Sequence, residues 1–82
     1  MSDTITASEP PHEINYRTLP IWAIPQLAFL RERLGLIVTN YTPRIDFAQV
    51  VAYLPTDDAY YLFHLYKWDM NNHHVPAMFR MS

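Results

Sequence analysis

The stretch PTDDAYYLFHLYKWDMNN, residues 55–72, decides how the rest of this chain is read. Tyr60, Tyr61, Phe63, Tyr66 and Trp68 crowd into it, with Leu62 and Leu65 between them. Two secondary structures compete for it. As a helix, it starts after Pro55, with Thr56 as N-cap and Asp57 and Asp58 in a first turn whose dipole favours acids. At about 100° per residue, Ala59, Leu62, Phe63, Tyr66 and Met70 share one side, and Asp57, His64, Lys67 and Asn71 share the other. As a strand, it would close a hairpin, AQVVAYL-PTDD-AYYLFHL, and its aromatic residues favour that state. The period-2 alternation is poor, because both strand faces would be apolar. The tip also lacks the Gly or Asn that hairpins commonly use. The spacing therefore predicts a helix over residues 57–71.

On that helix Tyr61, Leu65 and Trp68 stand at i, i+4 and i+7, beside the polar stripe. They form either a second packing face or an exposed patch. The patch reading makes Tyr61, His64, Leu65, Lys67 and Trp68 the candidate partner-binding residues, with His64 and Lys67 as the rim, since Trp and Tyr are favoured interface anchors.

Working outward, Thr42-Pro43 repeats a helix-start signal. Residues 43–54 then place Phe47, Val50, Val51 and Leu54 on one helical face, and the β-branched pair Val50-Val51 is the main argument against. Residues 25–35 read as the first helix. Pro25 sits in its first turn, Leu27, Leu30 and Leu34 make its stripe, and Gly35, the only glycine in the chain, stands where a left-handed C-terminal cap is wanted. Residues 37–42 are β-prone and short. Residues 14–20 read as an extended segment docked through Ile14, Tyr16 and Leu19. Residues 1–13 read as a flexible tail, and Val75, Phe79 and Met81 as an extended end laid across the helices. The expected fold class is mainly α, a small three-helix domain with extended N- and C-terminal segments, spanning residues 14–82. The alternative is α+β: helix 25–35 against an antiparallel sheet made from 36–41, 45–54, 59–68 and 74–81.

Composition narrows the function classes. The chain has 82 residues and no cysteine. A core this small yields only a few kcal/mol, and disulfides cannot supplement it. The net charge is −2, and it sits in residues 1–19, where Asp3, Glu9 and Glu13 outweigh Arg17. In residues 20–82 the acids and bases cancel. A neutral body in which hydrophobic residues reach 50% and aromatics 15% favours association. It argues against a nucleic-acid binder, which needs a basic surface. The N-terminal residues lack the features of a secretory signal, and residues 21–38 are interrupted by Arg31, Glu32 and Arg33, which argues against a membrane span. A cytoplasmic location is expected.

Catalytic signatures are missing. There is no G-x-S-x-G motif, no cysteine, one lysine, and too little glycine for a phosphate loop. Asp57-Asp58 is explained by capping. His64, Asp69, His73 and His74 form the one grouping with metal-ligand character, because Asp69 and His73 would be one helical turn apart. The expected function is a non-enzymatic protein-binding module without a cofactor. It would be a small accessory subunit, or an inhibitor of the type phages encode, acting on a larger protein complex through an aromatic and arginine surface. A self-assembling structural protein and a small metal-binding or catalytic protein built on the histidine group are the alternatives.

Overall fold

Helix α1 (Ile24–Leu34) is bracketed by its own punctuation. Pro25 lies in the first turn, where a missing N–H costs nothing. Gly35 ends the helix at φ 74°, and its N–H donates to the Arg31 carbonyl at 2.9 Å. A Cβ at Gly35 would meet no atom within 4 Å. Gly35→Ala is therefore expected to lower stability through backbone strain alone, by about 1 kcal/mol in a urea titration. An unchanged midpoint would mean that this cap contributes nothing.

Beyond the helix the chain runs as a meander, β1 (Ile37–Pro43), β2 (Phe47–Leu54), β3 (Ala59–Tyr66) and β4 (Phe79–Met81), each strand antiparallel to the one before it. The computed structural model describes residues 11–69 and 75–81. Among the described residues there is one α-helix beside a four-stranded antiparallel sheet, an α+β arrangement, so the three-helix, mainly α reading is overturned. Residues 43–54 and 57–71 do not form the second and third helices. They supply β2, β3 and the turns around them, and Lys67–Asp69 makes a short 3₁₀ turn.

The reason is visible in the register. Ala48, Val50, Ala52 and Leu54 stand opposite Leu65, Phe63, Tyr61 and Ala59, all on the helix side of the sheet. The intervening residues of both strands point away from the helix. Phe47, Val50, Val51 and Leu54 thus look like one helical face, but the sheet divides them between its two surfaces. The supposed start signals belong to turns. Thr56, Asp57 and Asp58 form the β2–β3 connection, where Asp58 takes φ 50° and does the work usually given to Gly or Asn. Pro43 ends β1, an edge strand, where a proline is tolerated.

The core lies between α1 and the sheet. Leu27, Leu30, Leu36, Val38, Val50 and Phe63 are its largest enclosed side chains. Each contributes about 1.5–3 kcal/mol by leaving water. Residues 14–19 close one end: a 3₁₀ turn at Tyr16–Thr18 is capped by the Asn15 side chain, and Ile14, Tyr16 and Leu19 pack on the core. The Ile14 N–H donates to the Val38 carbonyl at 2.9 Å, which covers part of the β1 edge. Val75, Phe79 and Met81 are not laid across helices; all three are exposed, and Met78 is the residue of this segment that packs on the core.

Candidate functional site

An antiparallel sheet with a helix on one side normally offers polar residues on the other. This one does not. The face of the sheet away from α1 receives Phe47, Gln49, Val51 and Tyr53 from β2, paired with Tyr66, His64, Leu62 and Tyr60 from β3. From β4 it receives Phe79 beside Leu62 and Met81 beside Tyr60. From β1 it receives Ile37, Asn40 and Thr42. None of these positions holds Asp, Glu, Lys or Arg.

Several of these side chains reach solvent. Tyr60 is 40% exposed, Tyr66 39%, Phe79 65% and Met81 43%. The aromatic rings stack along the face rather than standing alone. Tyr53 and Tyr60 meet at 5.2 Å between centroids at one end. At the other end, Phe47 lies 4.8 Å from His64 and 5.7 Å from Tyr66. Trp68, 73% exposed, continues the row against Tyr66 at 4.7 Å. Tilted pairs of this kind brace the β2 and β3 part of the face.

The hairpin that carries the face is clamped at its tip. The Tyr53 hydroxyl donates to Asp58 and the Tyr61 hydroxyl to Asp57 at 2.6 Å, one on each side of the sheet. Both phenols are held above their ordinary pKa, first because the hydroxyl proton is needed for the bond to the carboxylate. In β1, Thr39 is an extra residue between the pairs Val38–Ala52 and Asn40–Val51, and its hydroxyl donates to the Val51 carbonyl at 3.2 Å. This bulge turns Asn40 onto the uncovered face.

The sequence-based candidates separate. Leu65 is 4% exposed and belongs to the core. Tyr61 lies on the helix side, half-buried, bound to Asp57. His64 lies on the uncovered face between Phe47 and Tyr66. Lys67 and Trp68 sit in the 3₁₀ turn that follows β3, and the Lys67 N–H donates to the Asp46 carbonyl at 3.2 Å. The helical spacing that grouped all five does not exist. His64 and Trp68 instead join Phe47, Tyr53, Tyr60, Leu62 and Tyr66, which a strand period would have collected. Of the proposed metal group, His73 and His74 lie outside the described residues. No cluster of three or more His, Asp or Glu occurs among the described residues.

A second polar grouping has a structural explanation. Arg31 makes a two-pronged bond to Glu13, at 2.8 and 3.2 Å, beside Tyr16. Burial, followed by the nearby Glu13 carboxylate, pushes the Tyr16 hydroxyl up to about 12. Such a phenol is no base near neutrality, and the ion pair serves to fasten residues 13–16 to α1. Among the described residues no helix is long and apolar enough to cross a membrane. No family model matches the chain, and no curated protein or solved structure is significantly similar to it.

Proposed function

We propose that this chain is a non-enzymatic protein-binding module, and that it binds through the sheet face left uncovered by α1. One observation carries the reading: the uncovered face, braced on β2 and β3 by ring contacts and an anchored hairpin, holds no formally charged residue at its strand positions and exposes aromatic side chains. Such a composition matches the desolvated centre of an interface, where aromatics are enriched and charges depleted. A role as accessory subunit or small inhibitor uses a face of this kind. A nucleic-acid platform would also stack aromatics, but it needs cations along the strand path, and this face has none.

Trp68 is the sharpest test. It is mostly exposed, so Trp68→Ala should leave thermal stability within a few degrees while weakening partner binding by about 2 kcal/mol or more. The comparison is affinity capture from native lysate with wild type and variant side by side, with melting curves on both. Equal capture by the two proteins would remove Trp68 and its end of the face from the interface.

A further inference from the structure

We infer that the occupant of the uncovered face is a second copy of this chain, packed sheet to sheet across a two-fold axis. This rests on the reading of that face as a docking surface and names what docks there.

The polar chemistry of the face favours a self-complementary contact. Across a two-fold axis, each patch of surface meets the same patch on its mate. A fixed charge near the axis would meet its own sign. The strand positions of this face hold no Asp, Glu, Lys or Arg, so that penalty is absent. The polar groups at its strand positions are amides (Gln49, Asn40), hydroxyls (Tyr60, Tyr66, Thr42, and Tyr53, whose proton goes to Asp58) and the imidazole of His64. Amides and hydroxyls each both donate and accept, so such a group can pair with a like group across the axis.

Area points the same way. The exposed parts of Tyr60, Tyr66, Trp68 and Phe79 leave on the order of 450 Å² open, taking about 150–250 Å² for a whole aromatic side chain. The half-buried residues between them, such as Val51 and Leu62, bring the face toward the roughly 800 Å² per partner of a stable interface. Two such sheets at about 10 Å would form a sandwich, with each copy's α1 on the outside.

Sedimentation velocity over a concentration series tests this with the full chain. Wild type should sediment at twice its 9.7 kDa mass. Leu62→Asp, in the middle of the face, should weaken the dimer at least about a hundredfold, because two carboxylates would be buried against each other. Phe79→Asp should do the same, and its side chain is already 65% exposed, so a loss of folding cannot explain its result. Dimers that persist in folded Leu62→Asp and Phe79→Asp would overturn the inference by placing the contact elsewhere. A monomeric wild type at every concentration would also overturn it. In that case, a lysate protein held by wild type and lost with Phe79→Asp would leave the docking face standing with a different occupant. No such protein would remove both readings.

Discussion

Phe63→Ala is expected to cost about 3–5 kcal/mol of folding free energy, most of what a domain of this size has. Phe63 is 1% exposed and stands opposite Val50 on the helix side of the sheet. Its ring belongs to the same core cluster as Leu27 and Leu30 of α1 and Val38 of β1. Removing it takes away transfer free energy and leaves a cavity between helix and sheet. Urea denaturation followed by circular dichroism reads the effect directly. The contrast with its neighbour one position away is part of the expectation. Leu62 points to the other side, so Leu62→Ala should cost the free chain clearly less. Equal losses at the two positions would contradict the strand alternation of β3.

Leu27→Asp should be more damaging still. Leu27 is fully buried, and the helix it sits on is the sheet's cover on that side. A carboxylate there has no described basic partner within the core cluster, and a buried unpaired charge costs several kcal/mol beyond the lost apolar contact. An 11-residue helix is marginal once detached, because helices this short depend on their packed face. Releasing α1 therefore exposes the second sheet face and unravels the domain. The expected result is loss of the cooperative melting transition. A folded Leu27→Asp protein with a normal melting curve would show that the sheet holds together without its helix.

The helix was legible because its limits are written in residues with fixed backbone preferences: Pro25 at one end, Gly35 at the other. From sequence the sheet stands only as the alternative, ranked second because of the feature that makes it interesting. A half-solvated strand announces itself by alternation, and β2 and β3 do not alternate, because Phe47, Val51, Tyr60 and Leu62 are apolar on the side away from the core. Apolar residues on both faces mimic a helical stripe. The turn signal failed for a separate reason: Asp58 adopts the left-handed conformation that a glycine would have advertised. The candidate site inherited the error. His64 enters the sequence reading as the rim of a helical polar stripe, and Trp68 as the end of an i, i+4, i+7 row. Grouping them with Tyr61 and Leu65 required a 3.6-residue period that the chain does not follow. Phe79 and Met81 read from sequence as an extended end across the helices, and only the α+β alternative puts 74–81 in the sheet; β4 is three residues long and reaches β3 only after a long connection.

The strand order also has a kinetic meaning. Every neighbour in the sheet is a neighbour in the chain, and the first two hairpins are closed by short turns. Closing short loops forfeits little entropy, so β1, β2 and β3 can zip together early, with α1 adjacent in sequence to β1. The connection from β3 to β4 spans residues 67–78, and β4 forms only three residue pairs with β3. Its docking closes the longest loop of the sheet for the fewest residue pairs, so among the four strands it is expected to join last and to open first. Phe79 and Met81 travel with it, so the sticky face is complete only while β4 is docked.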